Sequence, residues 1–361
     1  MGKTKSRKKI LIFSPYWAML GGGERYLLQI ASVLEKKHDV FLLAGKPVIK
    51  KAESVFGINL KNIRFIPLKF FEGKKFYSRY FFLQRFYACF YTTDGSLFFP
   101  GANKNYLVIQ SPNHIPRINL ATRFKISGWK ILCYSSFMQK IIQNRINRRA
   151  VILSPAVDMS GFKFNPDLHK KEKLFITVGR FFKSDLHEKK QEFLIDFFKR
   201  NCQKYFPGWK LLICGNLTEN SGLGYLRNLK KMVSGLPVEI HVNLSFSQLA
   251  DFYSRSSVYW HAAGVGINSE KFPEKMEHFG ITTVEAMSSG TVPVSYAAGG
   301  QMDIIENNKS GFLFHSEPEF LNLNRKLVED KKLFSTMAIQ AVKRASFFSF
   351  KNFERNVNAL V

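Results

Sequence analysis

Short apolar runs alternate with amphipathic stretches along the whole chain. Residues 9–14 form an apolar run that ends at a glycine-rich turn, and residues 24–38 then place Leu27 and Leu34 on one face of a predicted helix. A second apolar run follows at residues 39–45. Strand, helix and strand in this order predict a parallel βαβ unit with a right-handed crossover.

The same alternation continues and then starts again. A polar, lysine-rich connection at residues 161–173 separates two series of predicted strands. Those of the first series are predicted at residues 9–14, 39–45, 63–68, 96–101, 105–111, 130–136 and 150–155, and those of the second at residues 173–180, 209–215, 238–244, 258–264, 291–296 and 311–314. The pattern predicts two doubly wound, Rossmann-like α/β domains, at residues 1–160 and 161–340. Because ligands in such folds bind at the carboxyl ends of strands, the cleft between the domains is the expected site.

The composition agrees with two globular domains and adds a strong positive charge. The chain has 361 residues, more than one hydrophobic core usually supports, and 45% of them are hydrophobic and 22% charged. The 54 lysines and arginines exceed the 27 acidic residues and give a net charge of +27. Such a field attracts polyanions, which include nucleic acid, anionic lipid and phosphorylated small molecules.

The cysteines and the start of the chain indicate a reduced, cytosolic protein. The four cysteines are scattered and form no CxxC pair, so neither a disulfide framework nor a zinc site is predicted. The basic start is followed by a short apolar run with Pro15, which fits a first core strand better than a signal peptide. No apolar run approaches the roughly 20 residues that span a bilayer.

Two features that follow strand ends could hold an anion. Gly22 and Gly23 lie between the first strand and its helix, where backbone N–H groups and the helix N-terminus can approach a phosphate. The turn lacks the spacing of a dinucleotide-binding or P-loop motif, so a plain tight turn is the alternative. Arg180 ends another strand, and Lys189 and Lys190 follow before a helix. Their charges could neutralise a diphosphate or simply be solvated.

Two glutamates stand eight positions apart in a stretch with little other charge. If ITTVEAMSS forms a helix that ends at Gly290, Glu285 lies inside it and Glu277 precedes it. Eight helical residues span about 12 Å, more than the roughly 5–10 Å between paired glycosidase carboxylates. The two acids are therefore predicted to accept hydrogen bonds from hydroxyl groups on different parts of one elongated ligand, such as a ribose and a sugar.

The stretch EHFGITTVEAMSSGTVPVSYAAGG resembles the E-x7-E signature of the retaining glycosyltransferases of family 4, which have the GT-B architecture. SPYWAMLGGGERYLLQIASVL resembles their amino-terminal glycine loop and helix, and ITVGRFFKSDLHEKKQEFLIDFF resembles their Arg/Lys segment. The matching segments follow the family's order along nearly the whole chain. The resemblance implies two domains, of which the first binds the acceptor and the second the nucleotide sugar, and a terminal helix at residues 341–361 that packs back on the first domain.

The resemblance also implies roles for individual residues. Glu277 would contact the donor sugar, and Glu285 the nucleotide ribose. Arg180 and Lys189 would hold the donor diphosphate, with Lys190 as a substitute for Lys189. The remaining contacts implied near the donor are the backbone amides of Phe279, Gly280 and Ile281 and the glycines Gly22 and Gly23.

The chain departs from the family pattern near the donor sugar. Many relatives have a histidine after the strand that corresponds to NYLVI, whereas this chain has Gln110 there and His114 four positions later. Glutamine donates a hydrogen bond but cannot exchange a proton at neutral pH. His261, in the segment WHAAG, is a further candidate for the pocket, and a buried histidine satisfied by hydrogen bonds is the alternative.

The resemblance implies a retaining transfer of a hexosyl unit from a nucleoside diphosphate sugar to a glycan or lipid-linked acceptor, in the assembly of cell-surface polysaccharide or glycolipid. A front-face route is expected, in which the leaving diphosphate accepts the acceptor's proton while Arg180 and Lys189 stabilise its charge. The sequence has no DxD motif or ligand cluster, so no metal and no cofactor is expected.

Residues 69–91 interleave basic and aromatic side chains. This composition is suited to an anionic lipid surface. The resemblance implies a location in the cytoplasm or on the inner face of the membrane, where family relatives often act on lipid-linked acceptors. A helix that covers its own domain has the same composition and is the alternative.

Three other functions fit parts of the sequence. A basic nucleic-acid-binding protein would explain the charge, but no zinc-finger or RNP signature accompanies it. A GT-B sugar-nucleotide epimerase or glycoside phosphorylase would use the same kind of site, and an epimerase would need no acceptor. A scaffold without turnover would not need the two glutamates and the basic pair.

Overall fold

The computed structural model describes residues 6–17, 21–45, 48, 58, 60–71, 73, 75–162, 164–182, 188–217 and 222–361. The chain divides into two compact units. The first comprises Met1–Ala156 together with Lys351–Val361, and the second comprises Val157–Phe350. The boundary therefore lies a few residues before the position that the sequence pattern predicts.

The first unit is built on a seven-stranded parallel sheet with the strand order β3-β2-β1-β4-β5-β6-β7. Its strands are β1 (Lys9–Phe13), β2 (Asp39–Leu43), β3 (Ile63–Ile66), β4 (Ala88–Thr92), β5 (Lys104–Val108), β6 (Lys130–Cys133) and β7 (Val151–Ile152). Its described helices before residue 156 are α1 (Gly22–Leu34), α2 (Phe76–Leu83), α3 (Leu120–Ser127) and α4 (Ser136–Ile146), with single 3₁₀ turns at Leu68–Phe70 and Pro112–His114. From β1 the sheet grows on one side through β2 and β3, and from β4 it grows on the other side through β5, β6 and β7. The topological switch point therefore lies between β1 and β4.

Strand β4 is not where the sequence pattern predicts it. The expected strand at residues 96–101 is wrong, because these residues form a loop after a turn in which Gly95 has a φ of 102°. The apolar side chains of the loop fill the core instead, since the ring of Phe98 packs 4.7 Å from Tyr91 and 5.2 Å from Trp129. The strand comes from the end of the basic and aromatic stretch at residues 69–91, which also contains α2.

The second unit repeats the plan with a six-stranded parallel sheet in the order β10-β9-β8-β11-β12-β13. Its strands are β8 (Glu172–Val178), β9 (Lys210–Gly215), β10 (Val238–Val242), β11 (Ser256–His261), β12 (Val292–Tyr296) and β13 (Phe312–Phe314). Its described helices are α5 (Gln191–Tyr205), α6 (Gly222–Met232), α7 (Phe246–Arg255), α8 (Ile281–Ser288), α9 (Gln301–Ile304), α10 (Glu317–Glu329) and α11 (Lys331–Ala345), with 3₁₀ turns at Met159–Gly161, Leu168–Lys170, Pro273–Lys275 and Ser346–Phe348. The predicted fold class, two doubly wound Rossmann-like α/β domains, is confirmed.

Strand β11 shows how the core of the second unit positions a site. Trp260 points into the main apolar core, where its ring stacks 4.1 Å from Phe175 and its indole N–H donates to Asn324 at 2.6 Å. Because side chains alternate along a strand, its neighbours Tyr259 and His261 point to the opposite face. Both are buried although they are polar, so this face of β11 needs polar partners.

The end of the chain belongs partly to each unit. Helix α11 stays in the second unit because Arg344 donates to the carbonyl of Ile304 at 2.9 Å. Helix α12 (Phe350–Asn358) follows, and the segment that joins the first unit begins at residue 351 rather than at residue 341. There the Phe353 ring lies 5.9 Å from Tyr26, and Glu354 pairs with Lys36 at 2.7 Å.

Candidate active site

The candidate donor residues of the second unit lie along the carboxyl edge of its sheet. Strands β8 and β11 are neighbours at the topological switch point, and the connections that leave them diverge there. Arg180 stands two residues after the end of β8, and His261 is the last residue of β11. Glu277 follows in the connection from β11 to α8. Residues distant in sequence therefore meet at one edge.

Lys189 reaches Glu277 directly. Its ammonium Nζ forms an ion pair with Oε2 of Glu277, and both side chains are mostly buried, with 13% and 14% exposed. The lysine stem crosses Gly179, where a Cβ atom would lie only 2.4 Å from Cγ of Lys189. The missing side chain of Gly179 thus gives Lys189 its path across the end of β8.

The neighbouring Lys190 takes a different direction. It precedes the first residue of α5 in the left-handed conformation, with a φ of 56°, and its ammonium pairs with Glu188 at 3.4 Å. Of the two lysines that the sequence leaves as candidates, Lys189 is therefore the one that joins the glutamate. Arg180 is exposed, and its guanidinium lies 4.7 Å from the ring centre of Phe182. Residues 183–187 of this loop lie outside the described part of the chain.

His261 approaches the same carboxylate from β11. Its Nε2 lies 3.5 Å from Oε2 of Glu277, and only 3% of its side chain is exposed. Neither ring nitrogen completes a hydrogen bond within the described residues. Burial lowers the pKa of His261, Glu277 raises it and the charge of Lys189 lowers it further, with a net downward shift. The imidazole is therefore neutral at neutral pH.

The main chain of Glu277 is fixed by the two glycines at the end of the AAGG segment. The Gly300 N–H donates to the carbonyl of Glu277 at 2.7 Å. Gly299 has a φ of 64°, and a Cβ atom there would lie 2.1 Å from the same carbonyl oxygen. The glycine-rich segment that follows the E-x7-E signature thus packs directly on its first glutamate.

Glu285 lies inside α8, and its side chain is buried. The Tyr253 hydroxyl donates to Oε2 of Glu285 at 3.4 Å. Burial and, secondarily, the charge of Glu285 raise the pKa of Tyr253 well above its ordinary value. The predicted helix and the predicted placement of both glutamates relative to it agree with the structure.

The charges of both glutamates act on Tyr259, a residue that the sequence reasoning missed. Its hydroxyl shares a 2.8 Å hydrogen bond with Oγ1 of Thr282 in the first turn of α8. Burial raises the pKa of Tyr259, and the charges of both Glu277 and Glu285 add to this effect. The available signal was its position two residues before His261, which puts both side chains on one face of the strand.

The N-terminus of α8 presents the backbone that the sequence assigns to Phe279, Gly280 and Ile281. Gly280 precedes the helix with a φ of 114°, and a Cβ atom there would lie 2.1 Å from Nε2 of Gln301. No side-chain cap closes this end of the helix. The positive end of a helix dipole favours an anion, so a phosphate role for these amides stays a prediction.

In the first unit, Gln110 lies against the glycine loop. A Cβ atom on Gly23 would lie 2.0 Å from Oε1 of Gln110, whereas nothing lies within 4 Å of the corresponding position on Gly22. The Gln110 amide donates to Oγ1 of Thr92 at 3.3 Å. The absence of a side chain at Gly23 therefore leaves room for Gln110.

His114 takes a separate position in the first unit. Its Nε2 lies 3.3 Å from the hydroxyl of Tyr16, and the two rings stack at 5.3 Å. Burial lowers the pKa of His114, and the charge of Asp94 partly opposes this. Of the two candidates for the family histidine, Gln110 contacts the glycine loop and His114 contacts Tyr16.

Two kinds of feature are absent from the described residues. They contain no group of three or more His, Cys, Asp or Glu side chains that could hold a metal ion. None of their helices is both long enough and apolar enough to cross a membrane.

The chain is similar to enzymes that transfer sugars. Residues 159–344 match the family model for glycosyl transferases group 1. The GDP-Man:Man(3)GlcNAc(2)-PP-Dol alpha-1,2-mannosyltransferase of Xenopus tropicalis is 26% identical over 224 residues, which are 59% of this chain and 43% of that protein. The chain thus spans less than half the length of this relative.

Solved structures with the same fold cover nearly all of the chain. The complex of Anabaena HepE with UDP and glucose aligns with a TM-score of 0.68 and 17% identity, over 98% of this chain and 99% of that one. A glycosyltransferase from Rickettsia africae aligns with a TM-score of 0.74 and 14% identity, over 98% of each chain. At these identities the likeness shows the fold.

Proposed function

The chain belongs to the glycosyl transferases of group 1, and from this premise we propose that it moves a hexosyl unit from a nucleoside diphosphate sugar to a glycan or lipid-linked acceptor with retention at the anomeric carbon. The second unit binds the donor and the first unit binds the acceptor. The product belongs to cell-surface polysaccharide or glycolipid.

One observation carries this proposal. At the carboxyl edge of β8 and β11, Lys189 and His261 both approach Glu277. Glu285 lies in α8, the helix that follows Glu277 in the chain. A cation beside two separated carboxylates suits a ligand that carries a diphosphate between two groups rich in hydroxyls. A nucleoside diphosphate sugar has this order of ribose, diphosphate and sugar.

The reaction needs charge stabilisation on the leaving group more than it needs a protein base. As the bond between the anomeric carbon and the diphosphate oxygen breaks, negative charge grows on the diphosphate. The exposed Arg180 guanidinium and the Lys189 ammonium neutralise it. The acceptor hydroxyl then bonds to the anomeric carbon from the same face, and its proton passes to the leaving diphosphate. Glu277 holds the sugar hydroxyls and is not the nucleophile.

The relatives suggest donors to try first. The Xenopus relative is described as a GDP-mannose enzyme with a dolichol-linked acceptor, and the Anabaena structure contains UDP. We therefore propose a panel of UDP-, GDP- and ADP-sugars, measured by thermal shift, because a ligand that binds the native state raises the melting temperature. The accepted donor is then incubated with lipid-linked acceptors, and the anomeric configuration of the product is read by NMR.

The same panel separates the alternatives. Conversion of the donor without any acceptor would identify an epimerase, and release of a sugar phosphate with inorganic phosphate would identify a phosphorylase. Salt-sensitive binding of RNA in place of sugar nucleotides would identify a nucleic-acid-binding protein. An inverted product would contradict the retaining reaction.

We propose that the transfer needs no divalent metal, because Arg180 and Lys189 supply the positive charge at the diphosphate. Activity after treatment with EDTA is expected to stay within about twofold of the untreated rate, since a twofold change corresponds to less than about 0.5 kcal/mol in the barrier. Loss of activity with EDTA and its recovery with Mg²⁺ or Mn²⁺ would contradict this part of the proposal.

The first unit, which is proposed to bind the acceptor, has exposed aromatic side chains on two helices. Phe76 and Phe81 on α2 are 68% and 64% exposed, and Phe124 on α3 is 73% exposed. The rings of Phe76 and Phe99 lie 5.9 Å apart, and the Lys125 ammonium lies 5.5 Å from Phe99, so the two helices share this surface. Exposed aromatic rings among basic side chains suit the headgroup region of an anionic leaflet. We propose that the protein works in the cytoplasm, at the inner face of the membrane.

The triple substitution Phe76→Ser, Phe81→Ser and Phe124→Ser is expected to abolish sedimentation with vesicles that contain anionic phospholipid, because it removes the apolar part of the attraction. The matched control replaces Phe272 and Ile339 of the second unit, which are 45% and 52% exposed, by serine and is expected to sediment as the wild type does. Unchanged sedimentation of the triple variant would remove this surface from the proposal.

A further inference from the structure

Oxygen Oε2 of Glu277 is shared by two different side chains. Lys189 pairs with it from the connection after β8, and Nε2 of His261 lies 3.5 Å away at the end of β11. A distance of 3.5 Å is longer than a well-formed hydrogen bond, and neither nitrogen of His261 completes one within the described residues. Since a buried polar group without a partner costs free energy, the contact between His261 and Glu277 is poised to tighten.

A diphosphate would change this sharing. Lys189 is the cation assigned to the phosphates, and a diphosphate carries more negative charge than one carboxylate. The ammonium is therefore drawn from Glu277 when the donor binds, and His261 stays beside Oε2 of the carboxylate. A neutral imidazole that donates one hydrogen bond to Oε2 fixes the carboxylate, and a sugar hydroxyl takes the place on this oxygen that the ammonium has left.

We propose that His261 is a positioning residue that holds Glu277 for sugar recognition after the donor diphosphate has taken Lys189. The inference rests on the proposed function and adds a coupling to it. Sugar hydroxyls are recognised only once the diphosphate is in place, because until then Lys189 occupies the carboxylate that would bind them. His261 thereby contributes to the preference for the intact donor over the free nucleoside diphosphate.

The test compares two affinities in the full-length protein. The ligands are a nucleoside diphosphate sugar accepted in the panel above and its sugar-free nucleoside diphosphate, titrated by calorimetry. For His261→Ala, the ratio of the two affinities is expected to fall by about tenfold, the size of one hydrogen bond to a charged group. The affinity for the free nucleoside diphosphate is expected to stay within about twofold of wild type, because the diphosphate contacts remain.

Two further variants keep the result interpretable. His261→Gln carries an amide N–H₂ near the position of Nε2 and is expected to restore most of the ratio, whereas the shorter amide of His261→Asn is expected to behave as alanine does. The matched control is His241→Gln, because His241 also pairs with a glutamate, Glu239 at 3.2 Å, on the edge strand β10. This control is expected to bind both ligands as the wild type does.

The dependence of this affinity ratio on pH, measured below neutral pH, tests the inference independently. The charged or titratable groups that face His261 are Glu277, Lys189 and Tyr259, and their net effect with burial holds the pKa of His261 below its ordinary 6.5. Protonation creates a second cation beside Glu277, which draws the carboxylate from the sugar. The wild-type ratio is therefore expected to fall below pH 6.5 relative to that of His261→Gln, which shares any change caused by protonation of the free nucleoside diphosphate.

Each negative result of these titrations contradicts a different part of the proposals. A wild-type protein that binds neither ligand would overturn the proposed function and this inference with it. An unchanged ratio in both His261→Ala and His261→Asn would overturn the inference alone. Equal loss of both affinities in the two variants would also overturn it, because His261 would then support the pocket as a whole. A pH dependence identical in wild type and His261→Gln would contradict the proposed neutral donor.

Discussion

Replacement of Glu285 by alanine is expected to abolish the rise in melting temperature that the donor causes in the wild-type protein, and to lower kcat/KM by at least about 100-fold. The carboxylate is expected to accept hydrogen bonds from both ribose hydroxyls, and hydrogen bonds to a charged group are worth about 1.5–3 kcal/mol each. Two such bonds correspond to at least two factors of ten. Thermal shift and initial rates at varied donor concentration measure the two effects.

The fold is expected to survive this change at a modest cost. Tyr253 loses the acceptor of its buried hydroxyl, which costs about 1–3 kcal/mol in the free energy of unfolding. Glu285→Gln keeps the volume and an acceptor for Tyr253, so it separates loss of charge from loss of packing. Glu329→Ala is the control, because Glu329 is exposed and pairs with Arg325 of its own helix at 3.0 Å. A donor-induced shift of wild-type size in Glu285→Ala would reject its ribose role.

Replacement of Lys189 by methionine is expected to lower kcat by about 100- to 1,000-fold, the size of the loss when one preorganised charge at a developing anion is removed. The stem that crosses Gly179 is kept, so the change acts mainly on the charge. Single-turnover rates with saturating donor separate the effect on the chemical step from the effect on binding.

The neighbouring lysine makes this prediction specific. Lys210→Met is the control, because Lys210 forms an exposed pair with Glu239 at 3.3 Å in the same unit. Lys190→Met tests the alternative that the sequence leaves open, since the side chain of Lys190 pairs with Glu188. A large loss in Lys190→Met together with a small loss in Lys189→Met would contradict the assignment of the diphosphate cation.

Most of the fold is predictable because its signals are local. Apolar runs bounded by glycine and polar turns predict twelve of the thirteen described strands, although the bounds shift by up to three residues. The exception is β4, whose residues Ala88–Thr92 lie in a stretch that reads as basic and aromatic, while the more apolar run at residues 96–101 supplies loop side chains to the core. Composition alone does not distinguish a strand from a loop whose side chains fill the same core.

The sequence predicts candidate residues for the site, but it does not predict the contacts between them. The order of the motifs along the chain identifies the region around Glu277 and Glu285. The match to the glycosyl transferases group 1 confirms the resemblance to that family. The pairing of Lys189 with Glu277 depends on the left-handed backbone at Lys190 and on the open path over Gly179, and a sequence pattern records neither. The same holds for Tyr259, whose hydrogen bond with Thr282 depends on how α8 packs against β11.

The most direct measurement is a crystal structure of the protein with its nucleoside diphosphate sugar. We expect the diphosphate oxygens to lie within ion-pair distance of Arg180 and Lys189, the ribose hydroxyls to contact Glu285, and the sugar hydroxyls to contact Glu277 after Lys189 has left it. A bound donor whose diphosphate lies away from the carboxyl edge of β8, with Lys189 still paired to Glu277, would contradict the account.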